Sequence, residues 1–382
     1  MKNLTTRSFV TTLGLGLLFL VVTAFLPKEN STELPYNFVK GAVEFESIGE
    51  LSFSPEGILF FGDTKGASIF ALETSDSKST TNEGINLGDV EEKIGQMMGA
   101  ASKDISVMDM AVHPSSQNVY LSIMRASGEN ASYHIVSISK DEKITEVDMR
   151  NASHSTFSLS KTPARDATDR RGRSLRTNTI TDIAFADGSV YVAGLSNEEF
   201  ASGFRKVSFP FKKNESLSTL EIFHVAHNQY ETHSPIRSFA PYLMNGESTI
   251  LAGYTCTPLV LFPTSNLKDG DHVKGKTVAE LGFGNTPLDI LPFTSESGKQ
   301  VVLIANSNRA TMLVTGEDIA KQEALTTGLE GDSILKGTPY EPLPLSGVQQ
   351  IAELNTEQIA LLRRMGDGSL RLYSYPKSRL AS

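Results

Sequence analysis

The chain has 382 residues, one Cys, no Trp, and 44 acidic against 35 basic residues, for a formal charge of −9 at pH 7. A single cysteine excludes an internal disulfide, a multi-cysteine zinc or iron–sulfur site and a Cys-x-x-Cys-His haem attachment. The acidic balance argues against a nucleic-acid binder, whose affinity comes from clustered Lys and Arg on phosphates, while 39% hydrophobic and 21% charged residues describe a globular chain able to bury a sizeable core.

Lys2 and Arg7 precede an uncharged run from Ser8 to Leu26, and Val22-Thr23-Ala24 places small residues where a signal peptidase reads. Residues 1–26 are therefore expected to be a secretory signal peptide or, if uncleaved, a membrane anchor, since about twenty apolar residues span a bilayer. The remainder would be exported, periplasmic or extracellular, touching a membrane only through that segment. No cysteine follows the apolar run, so no lipoprotein anchor is expected. Loss of Lys2 and Arg7 takes the charge from −9 to −11. Residues 27–41 read as a linker. Sequons at Asn30, Asn130, Asn151 and Asn214 matter only in a eukaryotic secretory pathway.

From residue 42 a unit recurs: an acidic or polar residue, a short apolar strand, a turn, a second strand rich in branched or aromatic residues, a loop, and a third strand. Its clearest copy is Thr181-Asp182-Ile-Ala-Phe-Ala-Asp-Gly-Ser-Val190-Tyr-Val-Ala-Gly194. Second strands open near Ile58, Val119, Val190, Thr249, Val301 and Gln358, so six units fill the chain. Fourth strands are expected at Ile144 to Met149, Leu220 to His224 and Thr277 to Leu281. Repeated four-stranded units predict an all-β fold, a six-bladed β-propeller over residues 42–376 with a tail at 377–382, because one twisted sheet cannot bury both faces until neighbours pack against it. The last unit runs out of chain, so Ala42 to Ile48 is expected to pair beside Leu370 to Tyr375 and close the ring from the N-terminal side. A two-domain β-sandwich is the rival reading. Between the first two units, Asp89 to Met98 predicts a short rim helix with Asp89 as N-cap, Glu92 three residues on, and Val90, Ile94, Met97 and Met98 on one face.

In a propeller, the loops entering each first strand and those joining second to third strands share one face. That face collects Leu195 to Phe200 with Asn197, Tyr254 to Pro258, Asn306 to Arg309 with Asn308, and the stretch Ala164 to Arg176 with Arg170, Arg171 and Arg173. With Arg237, these are the candidate contacts for a protein or small-molecule ligand. The residues opening the first strands form a column at one channel mouth: Glu50, Asp109, Asp182, Arg237, Asp289 and Gln350. Four facing carboxylates need a cation, the Arg237 guanidinium or raised pKa values. Glu50, Asp109, Asp182 and Asp289 are thus candidate ligands for a divalent cation such as calcium. The alternative is that each side chain hydrogen-bonds the backbone of the neighbouring blade.

His224, His227, Glu231 and His233 have the spacing of a ligand cluster, but His224 is expected to end an outer strand while His233 approaches the axis, which reads as scattered loop histidines. Cys256 has no base identifiable beside it. No Gly-x-Ser-x-Gly elbow, P-loop or dinucleotide fingerprint is present, and no catalytic residue can be named.

In repeat pattern the chain resembles six-bladed propellers of the NHL and lactonase-like kind, and the stretches Gly194 to Ala201, Tyr254 to Val260 and Ala305 to Arg309 look like those of exported bacterial propellers of unassigned activity. The lactonase likeness implies an axial divalent cation held by Glu, Asn and Asp; here the asparagines are missing from the column and Arg237 intrudes. Quinoprotein docking motifs and the sialidase Asp-box both need tryptophan, which the chain lacks. The reading that results is an exported, non-catalytic propeller binding a ligand on its loop-rich face. A metal-dependent lactonase or esterase is the alternative.

Overall fold

The computed structural model describes residues 34–380, apart from 77, 80, 81, 128, 129 and 283. The expected signal segment, the first part of the linker and Asn30 lie outside the described residues.

Six sheets form around the expected repeat units, antiparallel except where His272–Lys274 runs parallel to Glu215–His224 in unit 3. Their middle strands read as continuous apolar runs and are buried along almost their whole length: Ile58–Asp63, Ser189–Leu195 and Pro258–Pro263. A strand packed on both faces has no solvent side to write in polar residues, which is why these segments lack two-residue alternation. The chain is a six-bladed β-propeller.

The order of blades around the ring differs from their order in sequence. Core clusters join Leu121 of unit 2 to Leu362 of unit 6, Tyr120 of unit 2 to Leu59 of unit 1, and Phe60 of unit 1 to Val192 of unit 3. Further clusters join Phe204 to Phe239, Leu251 to Ile304 and Leu303 to Leu361. Unit 2 therefore sits between units 6 and 1, and the ring runs 2-1-3-4-5-6.

Two exchanged strands produce this order. After the third strand of unit 1 (Ser68–Glu73), the chain crosses to unit 6, where Asn86–Leu87 pairs beside Leu370–Pro376. It then builds unit 2, and Ala152–Ser158 returns to pair with Ser68–Glu73 as the fourth strand of unit 1, with Val39–Gly41, from the expected linker, paired outside it. The last blade is thus closed from the N-terminal side, but by Asn86–Leu87 and not by Ala42 to Ile48. The latter alternates like a strand, yet its amides are taken elsewhere: Val43 N donates to Met149 O at 2.8 Å, and Glu46 N and Ser47 N donate to the Asp63 carboxylate at 2.8 and 2.9 Å. Its apolar residues Val43 and Ile48 are buried in the seam between units 1 and 2.

The expected rim helix is Val90–Met98. Val90 and Ile94 are buried between units 6 and 2, and Glu91 holds Arg364 through both guanidinium nitrogens at 2.5 and 2.7 Å. Asp89, however, has a left-handed backbone and makes no side-chain cap bond, and Met97 is exposed. The buried stripe is therefore narrower than expected.

Candidate functional site: the channel mouth and the loop-rich face

The residues opening the inner strands do gather around one another, and the true ring order gives them a pattern the sequence order hid: Asp109, Glu50, Asp182, Arg237, Asp289, Gln350. Aspartate stands on every second blade. Each aspartate reaches over to the next first strand: Asp109 Oδ2 accepts from Leu51 N, Asp182 Oδ2 from Phe239 N, and Asp289 Oδ2 from Ile351 N, all at 2.6 Å. The other oxygens of Asp182 and Asp289 accept from Ile183 N and Ile290 N, both at 2.7 Å. Bulges lie next to Asp109, Asp289 and Gln350, while Asp182 reaches its neighbour from a regular strand. With its nitrogen turned to the carboxylates, the Gln350 amide donates to Asp289 Oδ2 and Asp109 Oδ1 at 3.0 Å each, bridging the blades on either side of its own.

Burial raises all four carboxyls above the ordinary carboxylate range, and repulsion from neighbouring carboxylates adds to it at Glu50, Asp109 and Asp182. Asp109 is pushed up to about 8 and Asp289 to about 7, with Glu50 and Asp182 also well raised. For Glu50 the Arg237 guanidinium works in the opposite direction. Arg237 itself donates to Asn178 Oδ1 at 3.4 Å. The ring can therefore hold protons near neutral pH, and its carboxyl oxygens are the groups that could hold a cation.

Bonds between neighbouring loops mark the loop-rich face: Asn197 N to Lys161 O at 2.9 Å, Ser202 N to Thr232 O at 2.8 Å, and Cys256 N to Asn285 O at 2.9 Å. The arginine stretch divides in two. Arg165 is paired with Glu46, and Arg176 is fixed on Lys65 O, Thr162 Oγ1 and Pro163 O. Arg173 folds back on Asp169 at 2.7 Å. Arg170 and Arg171 extend exposed side chains from the turn, and Arg173, although exposed, is held by its Asp169 pair. Asn197 and Asn308 are also exposed, the latter donating to Gly284 O at 2.8 Å. Arg309 lies half-buried over Gly282. Tyr254 departs from the expectation of a surface contact: it is 1% exposed, packed between units 3 and 4 with its hydroxyl toward Ser202. Its aromatic ring won the competition for core volume over the loop position its neighbours suggested.

Two features were missed in sequence. His224, His227 and Glu231 do come together, because Gln229–Glu231 folds back on the strand that ends in His224. His233 stays apart, against Thr232 Oγ1. The left-handed Asn228 was the available signal for that turn. On the opposite face, a polar cleft of about 660 Å³ opens between units 1 and 2, lined by Lys40, Asp76, Tyr120, Lys143 and Glu146. It depends on the exchanged blade order and so had no sequence signal.

Among the described residues, no helix is long and apolar enough to cross a membrane. No protein-family model and no curated protein matches the chain. Solved structures similar to it include an oxidoreductase assigned as a glucose dehydrogenase from Thermus thermophilus, at 12% identity over 88% of this chain and 99% of that one (TM-score 0.35). The PQQ-bound aldose sugar dehydrogenase from Streptomyces coelicolor matches at 12% over 88% and 96% (TM-score 0.34). Drosophila Plexin A, solved in complex with Semaphorin 1b, matches at 10% over 89% and 87% (TM-score 0.35). At these values no activity and no cofactor carries over to this chain, which its own strand pairing defines as a six-bladed β-propeller.

Proposed function

We propose that the protein is an exported, non-catalytic propeller that binds an anionic protein or small ligand on its loop-rich face. The observation that carries this reading is the turn at Arg170-Arg171. Asp169 Oδ1 accepts from Arg171 N and Arg173 N at 2.8 and 2.9 Å, and Oδ2 accepts from the Arg173 guanidinium. The turn is thereby anchored while Arg170 and Arg171 stand out in solvent. A guanidinium presents a planar fork of donors that suits carboxylate or phosphate groups, and a pre-set turn lowers the ordering cost of binding. Export rests on the pattern of residues 1–26. The test is retention on immobilised polyglutamate: replacing Arg170 and Arg171 with Glu should lower the salt needed for elution and leave the melting temperature unchanged. Equal elution would remove this turn from the binding surface.

The four mouth carboxyls favour a second reading, a metal-dependent hydrolase in which Glu50, Asp109, Asp182 and Asp289 hold a calcium-type cation that polarises an ester or lactone carbonyl. Against it, each aspartate already accepts backbone N–H bonds. A stoichiometric divalent ion in the purified protein, with chelator-sensitive ester hydrolysis lost in Asp109→Asn, would support this reading. Absence of both would end it.

A further inference from the structure

The outer strand of unit 3, Glu215–His224, runs into the sequence His224-Val-Ala-His227-Asn-Gln-Tyr-Glu231. His224 and His227 lie three apart on one tight turn, their ring centroids 4.0 Å apart. Asn228 then reverses the chain, and Glu231 returns opposite Ile222. One donor atom from each of His224, His227 and Glu231 lies within 4.8 Å of the others. Glu231 Oε2 is 3.0 Å from His224 Nδ1, and Oε1 is 2.6 Å from His227 Nδ1. Behind His224, its Nε2 stands 3.8 Å from Glu280 Oε2, on the outer strand of unit 4.

The chemistry of this arrangement is unbalanced. His224 is 3% and Glu280 1% exposed, and both His224 Nε2 and Glu280 Oε1 lack a hydrogen-bond partner. A neutral His224 that donates Nδ1–H to Glu231 leaves the Nε2 lone pair facing a carboxylate. Moving that proton to Nε2 aims it at Glu280, 3.8 Å away, but sets the Nδ1 lone pair against Glu231. A proton on Glu280, whose carboxyl burial pushes up to about 8, would relieve the conflict from one side; an ion between Nδ1 and Glu231 relieves it from the other, with Nδ1 a ligand and Nε2–H pointing at Glu280. Metal-bound histidines commonly carry such a carboxylate behind the ring.

We propose that His224 Nδ1, His227 Nδ1 and the Glu231 carboxylate bind one zinc-class divalent ion, with Glu280 accepting from His224 Nε2–H. Imidazole donors select zinc and its neighbours over calcium or magnesium. Zinc holds N and O ligands at about 2.0–2.2 Å, so the three donors need only modest outward movement to surround it. Half of the His227 side chain is exposed, which leaves the fourth tetrahedral position to water. The site lies on the outer strands of units 3 and 4, so it is independent of the carboxyl ring and of the Arg170-Arg171 turn.

The test uses purified protein stripped with EDTA and titrated calorimetrically with zinc alone, with cobalt(II) added in parallel for its visible absorption. Saturable binding of one equivalent is expected, with tetrahedral cobalt bands. His227→Ala and Glu231→Gln should each weaken zinc by about 100-fold or more, and Glu280→Gln by about 10–100-fold, with far-UV circular dichroism unchanged. His227→Gln serves as the second variant should the alanine form fail to fold. Absence of a saturable equivalent on the unsubstituted protein, or equal zinc affinity in the folded His227 variant, overturns the proposal.

Discussion

Asp289 on unit 5 seats its carboxylate on the backbone of unit 6, where Ile351 N donates to Oδ2 at 2.6 Å. Asp109 does the same for Leu51, and Asp182 for Phe239. Three side chains thus fasten the six inner strands in pairs, and the Gln350 amide joins the Asp289 and Asp109 pairs.

This fastening ties stability to pH. Asp289 and Asp109 titrate near about 7 and 8 in the fold, against 3.8 for the free side chain, with Glu50 and Asp182 raised as well. The native state therefore keeps protons that the unfolded chain has released. Their stabilisation is complete below about pH 4 and is lost as pH rises through about 7 to 8. The melting temperature should fall between pH 6 and pH 9, with the Arg237 guanidinium opposing the rise at Glu50. Asp289→Asn should melt lower at pH 5, because its amide nitrogen cannot accept an N–H, and should show a shallower decline above pH 6. A wild-type melting temperature that stays flat or rises from pH 6 to 9 contradicts this account.

The closing strand is only two residues long, yet Leu87 is 0% exposed and pairs with Leu372 between units 6 and 2. Leu87→Ala should cost about 2–5 kcal/mol. Val43→Ala, in the segment that does not close the ring, should cost less. A Leu87→Ala melting temperature equal to that of the unsubstituted protein would show that closure does not run through Asn86–Leu87.

Arg205 is fully buried, with Nη2 donating to Ser160 O and Lys161 O at 3.3 Å and Nε 3.8 Å from Glu215 Oε2. Removing the cation strands the buried Glu215 carboxylate, so Arg205→Ala should destabilise by about 3–5 kcal/mol. Joint replacement of Arg205 with Met and Glu215 with Gln should recover most of that loss in urea unfolding. A double variant no better than the single one would show that packing, not the buried pair, sets the cost.

Tyr254→Phe removes a hydroxyl buried beside Ser202 at the centre of the unit 3 and unit 4 interface. Its melting temperature should change little, and retention on polyglutamate should be unchanged, since no surface ligand reaches the ring. A loss of retention without a loss of stability would return Tyr254 to the binding surface.

The sequence by itself determined the six units, the all-β architecture and the identity of the mouth residues, because each rests on local patterns: an apolar run, a turn, and a polar residue opening the strand. It also pointed to the N-terminal side of the chain for the strand that completes the last sheet. What it could not determine was which distant segment would finish that sheet. Ala42 to Ile48 and Asn86–Leu87 are both short and mix polar with apolar residues, and the first is held elsewhere because Asp63 captures the amides of Glu46 and Ser47. That capture, with Ala152–Ser158 returning to unit 1, moved unit 2 between units 6 and 1. Only then did aspartate fall on every second blade. The same holds for His224 and Glu280, 56 residues apart in sequence, whose facing depends on two blades packing side by side. Local chemistry writes the blades, whereas their order and the contacts between them depend on long-range hydrogen bonds that no single segment encodes.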